Sequence, residues 1–287
     1  MPLLAPVVDQ YVSSVISACS NPDRGVVSVV LFGSAATGSY TSGFSDVDLL
    51  IVVADSATGK DKQRLRDTIS QLEASCGVAK RYSYERGAWD GLADRITANV
   101  RSFFICTRSD LLSGDPARIL DISAVQARFV DRVAIPSIVG SGVTAWGEDL
   151  LTQVPLLPIR WLDVAKAFFS FFNQLLFTAV AYPFTPGATK YAMEALKRSV
   201  HNCYYCYHCR PAQLAEEVAF FQRRIGPRVA LEQLVKLRTA YQPRFGFILR
   251  CFPTLVRLHL VTAWDNQFPR DPRAVLDRPL RRDGSAV

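Results

Sequence analysis

The sequence predicts two unlike halves: an α/β domain over residues 1–120 and an all-helical bundle over 121–265, followed by a loosely ordered tail at 266–287. Three observations carry this reading. β-Branched runs alternate with helical-period stretches before position 120 and fade after it. Prolines at 136, 155, 158, 183, 186, 211, 227, 243 and 253 then punctuate long apolar-periodic segments at expected helix ends or starts. With 287 residues, 49% of them apolar, the chain can bury a sizeable core, which excludes a disordered protein.

Taken in order, residues 3–19 read as an amphipathic opening helix. VVSVVLF (26–32) and DVDLLIVV (46–53) read as strands, and GKDKQRLRDTISQLEASCG (59–77) as a helix stopped by Gly77. VAKRYSYE (78–85) and RSFFICTR (101–108) are the third and fourth expected strands. Helical periodicity then covers 121–134, 157–182, 187–209, 211–224, 228–240 and 245–264.

Bulk properties narrow the setting. The N-terminus has no basic leader and Asp9 interrupts its apolar run, so a secretion signal is not expected. Seven cysteines form no even framework and point to reduced thiols in a cytoplasm. The most apolar segment, 167–182, is short for a bilayer span and carries Ser170, Asn173, Gln174 and Thr178, so a buried helix and no membrane are expected. The net charge of +7 divides into −1 over residues 1–120 and +8 over 121–287. A basic second half suits a polyanion such as RNA, or simply solvates helix surfaces.

The chemistry concentrates in LFGSAATGSYTSGFSDVDLLIVV (31–53). In a strand, Asp46 and Asp48 point to one side and Val47 to the other. Two adjacent carboxylates repel, and a divalent cation between them keeps both ionised, so the pair is built for metal. The preceding strand runs into Gly33-Ser34, where a missing side chain, a hydroxyl and helix-start amides can hold phosphate oxygens. Gly38 and Gly43 let the intervening loop bring cradle and carboxylates together.

Gly33-Ser34, eleven residues, Asp46-Val47-Asp48 and then LLIVV resembles the signature of the DNA polymerase β-like nucleotidyltransferase superfamily, especially bacterial aminoglycoside-type members with a helical C-terminal domain. The resemblance implies a nucleotidyltransferase domain with a short mixed sheet. It also implies two Mg²⁺ ions held by Asp46 and Asp48, a nucleoside triphosphate with ATP favoured, and transfer of AMP to a hydroxyl with release of pyrophosphate. A small-molecule acceptor is implied first. RNA, tRNA or a protein hydroxyl is the alternative, and a catalytically silent nucleotide-binding or antitoxin-like partner protein is the reading of another class. A third carboxylate is expected on a later strand. Glu85 is the choice, with an exposed strand-end acid as the other reading; Asp90, Asp94 and Asp110 look like loop or helix residues. The family often carries a basic residue shortly after Gly-Ser where this chain has Ala35, Ala36 and Thr37. The resemblance assigns that charge to Lys190, Lys197 or Arg198 of the helical half.

Cys203, Cys206 and Cys209, with His201 and His208 nearby, offer a thiolate metal site or, as the favoured reading, small apolar filling on one face of a helix over 190–209. Tyr204, Tyr205 and Tyr207 suit base stacking or helix packing. Phe168, Phe169, Phe171 and Phe172 read as core.

Overall fold

The structure is a computed structural model and describes residues 5–38, 40, 45–78, 102–122, 132–185 and 187–273. Its first half is built on a four-stranded mixed sheet of order β3-β2-β1-β4. Strand β1 (Val26–Phe32) pairs antiparallel with β2 (Asp48–Val53), and β2 pairs parallel with β3 (Phe103–Thr107). The expected α/β domain with a short mixed sheet is thus present, with a helical region behind it.

Strand β2 starts two residues later than the sequence suggested. β1 ends at Phe32, whose partner is Asp48, because Gly33 turns the chain at φ +69° into the short helix α2 (Gly33–Ala36). Asp46 and Val47 precede the register in which β2 pairs with β1. The expected strand at 78–85 lies outside the described residues from position 79 on.

The fourth strand, β4 (Val143–Gly147), comes from beyond residue 120, where strand signals had faded. It pairs antiparallel with β1 from Ser28↔Gly147 to Leu31↔Val143. Its sequence, VTAWG, is short, and its residues are half-buried or exposed, so it carries too little alternation to announce itself.

Alternation decides the two sheet faces. Leu49, Ile51 and Val53 of β2, with Val29 and Leu31 of β1, are buried against α1 (Pro6–Cys19) and α3 (Gly59–Ser75). Leu50, Val52, Val30 and Phe32 form the opposite core. It is closed by Leu111 of α4 (Arg108–Ser113), Ile119 of α5 (Pro116–Ile119) and Ile138 of α6 (Ala134–Ser141).

The second half packs α7 (Trp161–Ala181), α8 (Ala188–His208), α9 (Leu214–Ile225), α10 (Val229–Thr239) and α11 (Phe245–Asp265) around one core. Phe171, Leu196, Phe221, Leu234 and Leu255 lie within it. These helices follow the periodic stretches. Pro253 departs from the expected helix ends and starts, since it rides inside α11 on an exposed side. Phe169 also departs from expectation, being exposed rather than core.

The start of the tail is docked. Ile159 and Arg270 exchange backbone hydrogen bonds of 2.8 and 2.9 Å, and Arg273 donates to the Val154 carbonyl at 3.1 Å. Two helical stretches, Trp161–Phe184 and Phe245–Asp265, are long and apolar enough by length and composition to cross a membrane. Both also contribute core residues to the bundle.

Candidate active site

Strand β1 delivers the chain to Gly33 and its antiparallel neighbour β2 starts at Asp48, so the pairing Phe32↔Asp48 sets the two motifs side by side. A Cβ on Gly33 would stand 2.5 Å from Asp48 Oδ2 and 3.4 Å from its Cγ. Only glycine fits there, on steric grounds and because φ is +69°. The Gly33 N–H donates to Ser141 Oγ at 3.3 Å, and Ser141 Oγ donates to the Ser137 carbonyl at 2.8 Å. Gly33 therefore contributes close approach, while its own amide is engaged by α6. Ser34 follows in the first turn of α2, half-buried.

Val47 is buried with the α1 and α3 core, in phase with Leu49 and Ile51. Asp46 and Asp48 fall between these positions, on the side that leads into Leu50 and Val52. Both aspartates are half-buried, and Asp46 Oδ1 is shielded from solvent. Tyr40 lies close by: burial first, and the Asp46 charge second, push its hydroxyl pKa upward.

These residues fit a divalent cation. The donors are hard carboxylate oxygens and they belong to two nearby positions, with Asp48 packed directly against the Gly33 backbone. Among the described residues there is no cluster of three His, Cys, Asp or Glu side chains suited to a metal ion. Glu85, the expected third carboxylate, lies outside them. Asp110 is occupied elsewhere. It closes a capping box with Thr107 at the start of α4 and faces Lys62 at 3.7 Å.

The helical half reaches the carboxylate loop through a residue that the sequence did not single out. Arg238, at the C-terminal end of α10, donates to Ser45 Oγ at 3.4 Å, one residue before Asp46. No motif marks Arg238, and only the fold brings positions 193 residues apart together. Lys197 is held by Glu194 at 2.6 Å within α8, and Lys190 stands half-buried in the first turn of that helix.

The cysteine triplet behaves as filling. Cys203 sits in the main helical core, while Cys206 and Cys209 are buried with Ile159, Val164 and Tyr205. Burial raises the Cys209 thiol pKa, which disfavours the thiolate that a metal would need. Tyr204 and Tyr207 pack on Phe220, and Tyr204 donates to Glu216 at 2.9 Å, so these rings serve the bundle.

Comparison with known proteins follows the same lines. Residues 12–91 match the family model described as a nucleotidyltransferase domain. No protein of curated function matches the sequence. Among solved structures, the chain is similar to spectinomycin adenyltransferase AAD(9) from Enterococcus faecialis, a structure with ATP and spectinomycin. The TM-score is 0.50 at 12% identity, over 88% of this chain and 98% of that one. The Gly-Ser turn against a strand-borne aspartate lies inside the segment that is similar to a nucleotidyltransferase domain, on a fold like that of the adenyltransferase.

Proposed function

We propose that the protein transfers AMP from ATP to a hydroxyl group of a small molecule and releases pyrophosphate. The observation that carries this reading is the juxtaposition of Gly33 and Asp48, which sets the Gly-Ser turn directly against a carboxylate suited to hold a metal. Asp46 and Asp48 would hold Mg²⁺, which when bound would neutralise triphosphate charge and lower the pKa of the attacking hydroxyl. Gly33 admits the phosphates, and Ser34 offers its hydroxyl to them. Arg238 keeps the loop before Asp46 in place and adds positive charge to that side. Glu85 is assigned the proton of the acceptor hydroxyl. The small-molecule class of acceptor is supported by the neighbour's complex with ATP and spectinomycin, and the cytoplasmic setting by seven free cysteines.

The test is incubation of the purified protein with each α-labelled nucleoside triphosphate and Mg²⁺, against a cell extract separated into small-molecule, RNA and protein fractions. Label is expected in the small-molecule fraction, with ATP as donor. The Asp46→Asn, Asp48→Asn double variant should lose at least about 10²-fold in rate while keeping its circular dichroism. Label appearing in RNA or protein would replace the acceptor class. Transfer that survives the double variant would displace the site.

A further inference from the structure

Helices α7 and α11 lie antiparallel. Phe168 meets His259 at 5.5 Å and Phe172 meets Phe252 at 5.4 Å, while Tyr182, just past the C-terminus of α7, meets Phe245 at the N-terminus of α11 at 5.0 Å. Their inward sides build the bundle core, and their outward sides remain apolar. On α7, Leu162, Phe169, Leu176 and Val180 fall within about 40° of one line at the helical period. On α11 the same period aligns Leu249 and Leu260, with Trp264 beside them at 91% exposure. Each stripe lies about a quarter turn from the line of contact between the helices, and the antiparallel arrangement turns both to one side. The result is a single face roughly 30 Å long, with on the order of 1,000 Å² of apolar side chain open to solvent. A soluble monomer rarely exposes so much in one place.

The charges on this face have one sign. Lys166 stands within the α7 stripe, and the exposed Arg250 and Arg257 flank the α11 stripe. The acids of these two helices are withdrawn. Asp163 is buried and caps α7, accepting from the Arg160 and Arg132 amides, while Asp265 is held by Arg224 and Tyr207. A second copy docked here would set a cationic rim against its own like. An anionic lipid surface complements both the apolar stripe and the rim, and Trp161 and Trp264, brought to the same end by the antiparallel packing, suit the headgroup boundary.

We propose that the outer face of α7 and α11 docks the protein on an anionic membrane surface, the helices lying parallel to it. The chain would be peripheral rather than spanning, because the opposite sides of both helices are committed to the core.

Flotation of the protein with vesicles of phosphatidylcholine alone, and of equal parts phosphatidylcholine and phosphatidylglycerol, tests this. Binding to the anionic vesicles is expected, about tenfold or more above the neutral ones. Leu260→Glu should abolish it by placing a charge in a position that is 64% exposed, and Phe169→Glu, at 58%, should do the same. Arg250→Glu with Arg257→Glu should reduce it about tenfold or more. Circular dichroism would show each variant folded, and light scattering would report oligomeric state. Absence of binding, equal binding to both vesicles, or a solution dimer dispersed by Leu260→Glu would each overturn the proposal.

Discussion

At Gly33 the site is defined by what is missing. Any β-carbon there would enter the Asp48 carboxylate at 2.5 Å and would have to adopt φ +69°, a conformation that costs an L-residue about 1–2 kcal/mol. Gly33→Ala therefore should displace Asp48 rather than unfold the domain. The expected outcome is a fall in kcat of about 10²-fold with a melting temperature lowered by only a few degrees, read by transfer kinetics and calorimetry. At this scale Gly33, Ser34, Asp46 and Asp48 were legible because each has a distinct chemical property at a fixed spacing. Tyr40 and Ser141 were not. A tyrosine in a loop and a serine at the end of a helix are ordinary residues until the fold places them beside Asp46 and the Gly33 amide.

Between elements, the bond from Arg238 of α10 to Ser45 is the described contact that carries the helical half to the carboxylate loop. Arg238→Ala removes one long hydrogen bond, worth about 0.5–1 kcal/mol, in a place where the loop rather than the core depends on it. The expected outcome is a severalfold loss in kcat/KM for ATP, with an almost unchanged urea midpoint; equal values for variant and parent protein would remove the clamp role. The sequence directed attention to Lys190 and Lys197, which share a helix with the conspicuous cysteine and tyrosine cluster. Lys197 pairs with Glu194 one turn back. Helix α8 itself was legible from its period, as were α7, α9 and α10. Strand β4 escaped because its place is fixed by the open edge of β1, a partner more than a hundred residues away.

For the molecule as a whole, the bundle core contains a titrating group whose effect on stability has a definite sign. His259 is buried among Phe168 and Phe171, and its Nδ1 lies 3.0 Å from the Leu255 carbonyl and 3.4 Å from Ser199 Oγ. Burial holds the imidazole neutral and lowers its pKa from 6.5 to about 4, the Leu255 carbonyl opposing this only in part. The folded state thus refuses a proton that the unfolded chain accepts. This contribution to stability is fully present above pH 6.5, is lost as the pH falls towards 4, and amounts to about 3 kcal/mol. Urea unfolding between pH 7 and 4 should show this decline, and His259→Gln should flatten it; a slope unchanged by the substitution would assign it to other groups.

The sequence by itself determined the α/β-then-helical order and the pair of motifs that name the chemistry, because helical and strand periods are local and the Gly-Ser and Asp-x-Asp spacings are short. It also determined the fate of the cysteine triplet, since Cys203, Cys206 and Cys209 follow the buried face of a helix. Only the tertiary structure decided that Ser141 takes the Gly33 amide, that Arg238 reaches Ser45, and that α7 and α11 turn their apolar outer sides the same way. Each of these joins positions far apart in the chain, through strand register or helix packing. No local pattern records such a pairing, because its energy comes from surfaces that meet only after the chain has folded.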